Sequence, residues 1–292
     1  LRELIIDRML RLYDWQIKDE WLVFLSGVVP GFNFCCRGLT SPGDAIISET
    51  PIYYPFLSAP SNADRALSPL PALLQSGRWS MDLDGLAKLA AEPRNKLLLF
   101  CNPQNPLGRV STRDELLAMA DICVREQVPI VSDEIHCDLL YDGNRHIPIA
   151  SLAPEIADIT VTLMSATKAF GISGIGGAFA VIPNPVLRAK LRQATAGLGS
   201  SLNALSMTAM EAAFRDCEQW LAEERQHLED CRDYLCRELQ ALPGVSLVKP
   251  EGTYFLWLDF SETGLNNPYQ SLCDAGVELS EGDKFGDDKF LR

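Results

Sequence analysis

Between about residues 40 and 185, short apolar runs take turns with segments patterned as helices, and this alternation restricts the chain to few folds. The runs are Ala45–Ile47, Lys96–Cys101, Pro129–Ser132, Thr160–Met164 and Ala178–Ile182. They read as continuous apolar strands rather than half-polar ones, as expected for strands covered on both faces. Between two of them, Ser111 or Thr112 is placed to N-cap a helix over Asp114–Gln127 that turns Leu116, Leu117, Ala120 and Cys123 inward. Continuous strands separated by helices predict an α/β fold, a mostly parallel sheet with helices on both faces. Ligands of such sheets bind beyond the carboxyl ends of the strands. Asn102–Gly108, Asp133–His136 and Ser165–Lys168 all come directly after apolar runs, so this rule bears on each of them.

Beyond residue 183 the texture changes. Pro185–Ala196, then Ala204 to about Leu242 with at most one break, read as long helices. Val245–Val248 and Thr253–Phe260 alternate like strands of a half-exposed sheet, with Pro250–Gly252 as the turn between them. The expectation is a large domain over 1–225 and a small α+β C-terminal domain over 226–292, joined by a long helix. Both ends read as truncated: the chain starts inside a helical pattern and stops at Phe290–Leu291–Arg292 with no turn or cap.

Composition narrows the function. A net charge of −13 argues against nucleic acid, whose binding needs a basic stripe. No apolar run approaches the roughly 20 residues a bilayer span requires, and residues 1–13 mix charge into every turn, so a cytoplasmic protein without a membrane partner is expected. The nine cysteines are irregularly spaced without a C-x-x-C, and the three histidines are scattered. Neither a metal site nor a disulfide framework is expected, and most of the thiols read as reduced, buried packing residues.

Four segments carry candidate chemistry. In Ser165-Ala-Thr-Lys168, a lysine at a strand's end on the ligand side can be partly desolvated, which makes its amine nucleophilic. Taken alone, a surface lysine at a strand–loop junction is the simpler reading. The S-x-x-K spelling also fits a penicillin-binding type of serine hydrolase, but no S-D-N or K-T-G follows. In Ser132-Asp133-Glu134-Ile135-His136, a carboxylate could sit beside a bound pyridine and keep its nitrogen protonated. By itself this segment equally suits a metal or a plain loop, and His136 alone suits a structural histidine. Asn102-Pro-Gln-Asn-Pro-Leu-Gly108 has two Asn-Pro steps that force an extended loop able to aim the Asn105 amide, or simply a turn. Ser26-Gly-Val-Val-Pro-Gly31 leads into an apolar helix, where backbone N–H groups could meet an anion. Gly171–Gly177 looks superficially like a dinucleotide fingerprint but lacks the third glycine at the right spacing, and no suitably placed acidic partner follows a strand after it.

Taken in order, SGVVPG, TPIYYPF, CNPQNPLGRV, SDEIH, SATKAFG, PEGTYFLWLDF and the terminal KFLR resemble the fold-type I pyridoxal-5′-phosphate (PLP) enzymes, the aminotransferase class I/II superfamily. The resemblance spans nearly the whole chain. The SDEIHCDL, GVVPG and TPIYYPF spellings look most like the cystathionine β-lyase-type C–S lyases. The resemblance implies a PLP-dependent transferase-like large domain in which Lys168 holds PLP as a Schiff base and Asp133 pairs with its ring nitrogen. It further implies that Asn105 bonds the cofactor's 3′-oxygen and Tyr53 stacks on its ring. The phosphate would meet the backbone at Val28 and Val29 and the hydroxyl of Ser165, while Arg292 would grip the substrate's α-carboxylate. Two positions depart from the commonest aminotransferase pattern. His136 stands where a tyrosine usually reaches the 3′-oxygen, as is familiar in the lyase subgroup. Gly176 stands where a phosphate-binding arginine is usual.

The expectation is therefore β-elimination from L-cystathionine or a related cysteine S-conjugate, giving a thiol, pyruvate and ammonia. Transamination between an amino acid and a 2-oxo acid is the main alternative, since the same residues serve it. A regulatory module that binds PLP or a protein partner is the alternative of another class. The resemblance also implies a homodimer, and an N-terminal arm preceding residue 1.

Overall fold

The structure, a computed structural model, describes residues 1–199 and 201–292. In chain order the strands are β1 (Leu22–Leu25), β2 (Ala45–Thr50), β3 (Ala66–Pro71), β4 (Leu73–Gln75), β5 (Arg78–Ser80), β6 (Asn95–Cys101), β7 (Ile130–Asp133), β8 (Thr160–Met164), β9 (Ala178–Val181), β10 (Ser246–Leu247), β11 (Leu258–Asp259) and β12 (Phe290–Leu291). The α-helices are α1 (Arg2–Tyr13), α2 (Val28–Leu39), α3 (Tyr54–Ser58), α4 (Leu83–Ala91), α5 (Arg113–Arg125), α6 (Pro154–Asp158), α7 (Pro185–Thr195), α8 (Ala204–Asp216), α9 (Glu218–Gln240) and α10 (Pro268–Asp274).

A seven-stranded sheet in the order β1-β9-β8-β7-β6-β2-β3 forms the centre, with β3, β2, β6, β7 and β8 parallel. All five expected strands lie in it. β9 runs against β8, because residues 165–177 between them hold no α-helix to carry the chain back across the sheet. Two members had no clear signature in the sequence. β1 is only four residues long, and β3 carries Pro69 and Pro71, which the ladder tolerates because β3 is an edge strand.

Successive side chains of a strand point to opposite faces, and the core divides accordingly. Leu97, Leu99 and Cys101 of β6 pack with Phe32, Cys35 and Cys36 of α2. Leu98 and Phe100 face the other way, onto Leu86 of α4 and Leu116, Ala120 and Cys123 of α5. The α5 helix starts at Thr112, whose hydroxyl accepts from Glu115 N while the Glu115 carboxylate accepts from Thr112 N. This reciprocal capping box resolves the open choice between Ser111 and Thr112. The helical stretch after Ala204 breaks once, at Cys217, and α9 continues unbroken across residues 225 and 226.

A second, three-stranded antiparallel sheet joins β10, β11 and β12. Here the expected strand over Thr253–Phe260 contracts to Leu258–Asp259. The chain is diverted at Thr253, whose φ is +68° and whose N–H donates to Leu139 O, so residues 253–257 run towards the main sheet instead of pairing. The preceding turn is pinned on both sides. Glu251 N and Gly252 N both donate to Gly108 O, at 2.8 and 2.9 Å. The buried Arg232 of α9 donates to Pro250 O, pairs with Asp142 and Asp233 and lies over the Tyr141 ring.

Candidate active site

The carboxyl ends of β6, β7 and β8 converge on a cavity of about 390 Å³. After β6, the Asn-Pro loop is locked from several directions. Asn102 N donates to Asp133 O, Gln104 Nε2 to Pro51 O, and Tyr53 N to Asn105 O. The Asn105 side chain is thereby aimed into the cavity, with Tyr53 beside it. Burial pushes the Tyr53 phenol up to about 12, so it stays protonated.

Asp133 ends β7 and is buried. Its Oδ1 accepts one hydrogen bond, from Ile135 N at 3.0 Å. Desolvation raises its pKa to about 7, against the opposing pull of that N–H and of the Lys168 charge. His136, also buried, is pushed down to about 3 by desolvation and by the charges of Lys168 and Arg292. Its Nδ1 has no hydrogen-bond partner among the described residues. Lys168 follows β8, half-buried on the same wall.

Val28 and Val29 open α2, where the first N–H groups of a helix have no intrahelical acceptor. Both line the cavity, and facing them are Gly176 and Gly177, held by the Gly177 N to Ser26 O bond at 2.8 Å. Gly176 has φ +75°, a conformation an arginine would adopt only under strain, which accounts for glycine at that departure from the aminotransferase pattern. Arg292 closes the cavity from the small sheet. Its guanidinium lies over Phe255 and Phe285 and pairs with no carboxylate among the described residues.

Of the residues singled out in the sequence, Lys168, Asp133, Asn105, Tyr53, His136, Val28, Val29 and Arg292 all line this one cavity. Ser165 does not. Its hydroxyl lies behind the lining, donating to Gly177 O at 2.6 Å and accepting from Thr167 N at 3.0 Å, while the buried Thr167 lines the cavity. The sequence reading missed Thr167, Tyr54, Tyr254 and Phe255 as lining residues. Their motifs were visible, but only the diversion at Thr253 brings Tyr254 and Phe255 here.

The donor set suits PLP. A buried carboxylate with one hydrogen bond lacks a cationic N–H, as a protonated pyridine would supply. The helix-opening N–H groups suit a phosphate, the orphaned His136 Nδ1 awaits a polar partner, and Lys168 offers an amine.

Residues 1–292 match the family model described as aminotransferase class I and II. The cystathionine beta-lyase PatB of Bacillus subtilis (strain 168) is 35% identical over 283 residues, covering 94% of this chain and 72% of the relative. Among solved structures, that of OvoB superposes with a TM-score of 0.95 at 41% identity, over 99% of this chain and 76% of that one. Cystalysin from Treponema denticola, which contains a pyridoxal 5′-phosphate cofactor, also gives 0.95, at 31% identity over 100% of this chain and 76% of that one. The chain thus spans about three quarters of the length of these proteins.

Proposed function

This chain belongs to the aminotransferase class I and II family, and from that premise we propose that it is a PLP-dependent C–S lyase. Its reaction adds water to L-cystathionine or a related cysteine S-conjugate and yields a thiol, pyruvate and ammonia. The observation that carries the reading is the placement of Lys168, the buried Asp133 and the carboxylate-free Arg292 around one cavity.

When bound, PLP supplies a protonated pyridine ring that draws in the electron pair released at the substrate's Cα. The residues of the chain do the rest. Asp133 would hold the proton on the ring nitrogen, since its desolvated carboxylate is stabilised by a cation in contact. Arg292 takes the substrate's α-carboxylate through paired N–H donors, and Asn105 fixes the angle of that guanidinium. Lys168 would hold the cofactor through its Nζ, and the same amine, once free, is the general base for the substrate's Cα proton. Val28 and Val29 offer N–H groups to the phosphate, and Thr167 and the Ser165 hydroxyl behind it support the same corner. Tyr53 would stack on the cofactor's ring and keep water from that face.

Elimination over transamination is supported by the SDEIHCDL spelling, with His136 in place of a tyrosine, and by the likeness to PatB. The deciding assay offers L-cystathionine to the PLP-loaded enzyme. Release of pyruvate and free thiol with no added 2-oxo acid supports the lyase; strict dependence on a 2-oxo acid overturns it in favour of transamination. The proposal includes a homodimer in the cytoplasm, as the resemblance implies, and sedimentation velocity tests the dimer. Among the described residues no helix is long and apolar enough to cross a membrane.

A further inference from the structure

Lys168 lines two neighbouring cavities. The second, of about 330 Å³, shares Lys168, Ser173 and Tyr254 with the first and extends to Leu139, Leu228 and Glu224. Glu224 and Leu228 are one turn apart on α9 and so project from one face of the helix. Leu139 and Leu228 give this space apolar walls, and the Tyr254 ring extends them.

Glu224 is half-buried and makes no hydrogen bond or ion pair among the described residues. Its neighbours on α9 differ: Glu218 is held by Arg11, Glu223 by Gln219 and Glu229 by Arg232. Among the described residues the cavity's one cationic lining residue is Lys168, which the proposed chemistry already employs. A half-buried carboxylate with no ion-pair partner among the described residues, lining a space with apolar walls, is a receptor for a cation on an alkyl stem.

We propose that this second cavity takes the sulfur substituent of the substrate, and that Glu224 binds an ammonium group carried at its end. The inference rests on the C–S lyase reading and sharpens it. The preferred substrates are cysteine S-conjugates whose leaving thiol bears a protonated amine, over those with a purely alkyl group. Lys168, which lines both cavities, returns the Cα proton to the departing sulfur, so the S–Cβ bond breaks as the S–H bond forms.

Two amino acids of nearly equal shape test this in the holoenzyme. S-(2-aminoethyl)-L-cysteine ends in an ammonium where S-propyl-L-cysteine ends in a methyl. The wild type is expected to favour the aminoethyl compound. Glu224→Gln should lower kcat/KM for it about tenfold, chiefly through KM, and leave the propyl compound within about twofold. Glu224→Lys should invert the preference. An unchanged ratio between the two substrates in Glu224→Gln, or an equal loss on both, overturns the assignment. Binding of both compounds is also read from the change in the cofactor's visible absorbance, which needs no elimination. Absence of pyruvate from either compound thus refutes the lyase reading alone, while the ratio of dissociation constants still decides the role of Glu224.

Discussion

Arg292 Nη1 donates to Asn105 Oδ1 across 3.2 Å, joining residues 187 positions apart in the chain. One partner directly follows the last strand of the small sheet and the other sits in the loop after β6. The bond spends one donor and leaves the others to face the cavity. Between Phe255 and Phe285, at 4.1 and 4.6 Å from the ring centres, the guanidinium is kept flat and partly desolvated, and burial lowers its pKa.

Arg292→Lys tests this arrangement. An ammonium keeps the charge but loses the planar fork and the fit between the rings. KM for the amino-acid substrate should rise by about ten- to a hundredfold, as expected for loss of one charge-assisted pair, with a smaller change in kcat. Cofactor absorbance should be unaltered, since the proposed contact is with substrate. Steady-state kinetics and a spectrum of the loaded variant check both points.

Lys168→Ala should abolish covalent attachment of the cofactor. After borohydride reduction, intact-mass measurement of the wild type should show the cofactor's added mass and the variant should not. Activity should fall by about 10³-fold or more, given the loss of a general base and of the attachment point. A reduced adduct that survives the substitution would mean that another amine holds the cofactor.

The ligand-free protein should show two opposing pH effects on stability. Asp133 ordinarily titrates at 3.8 but at about 7 when folded. Between these values the unfolded chain has lost a proton the folded one keeps, so stability falls as pH rises through the window. His136 ordinarily titrates at 6.5 but at about 3 when folded. There the unfolded chain binds a proton the folded one refuses, so stability falls as pH drops below 6.5. The two effects oppose each other across the overlap. Asp133→Asn should remove the first and expose the second, so its Tm should climb more steeply than the wild type's from about pH 4 to 6.5. Thermal melts of both proteins across this range measure it, and equal slopes would remove Asp133 from the account.

Gly108→Ala should destabilise the fold. Gly108 has φ +68°, and a Cβ there would lie 2.3 Å from the Cβ of Pro250. Overpacking and left-handed strain together should cost about 3 kcal/mol. The two hydrogen bonds from Glu251 and Gly252 to Gly108 O would be displaced with it, moving the segment that carries Tyr254 and Phe255. Urea denaturation measures the loss, and Gly143→Ala is the control. It has a similar φ of +74° but open space around the added methyl, so only the strain should appear.

Local pattern and chain order were enough for five of the sheet's seven strands and for the rim on which most of the cavity's residues lie. The β6, β7 and β8 segments announced themselves because strands buried on both faces must be apolar throughout, and residues just past their ends must share an edge. Lys168, Asp133 and Asn105 follow from that rule. The small sheet was harder. Thr253–Phe260 carries a strand's alternation, yet Tyr254 and Phe255 go to the cavity because Gly108 and Leu139 compete for the backbone bonds of residues 251–253.

By itself, then, the order of apolar runs predicted a mostly parallel sheet and the rim on which a site would sit, since strand periodicity and strand-end polarity are local properties; the PLP chemistry came from the resemblance of the ordered motifs to the fold-type I enzymes. Tertiary structure alone decided which hydroxyl of Ser165-Ala-Thr-Lys168 faces the cavity, because Gly177 claims the Ser165 oxygen and leaves Thr167 to line the cavity. It also decided that Arg292 has no acidic partner among the described residues and that Glu224 lines a second cavity with Lys168. Whether a charge is paired depends on side chains brought together from distant segments, and no spacing along the chain records that.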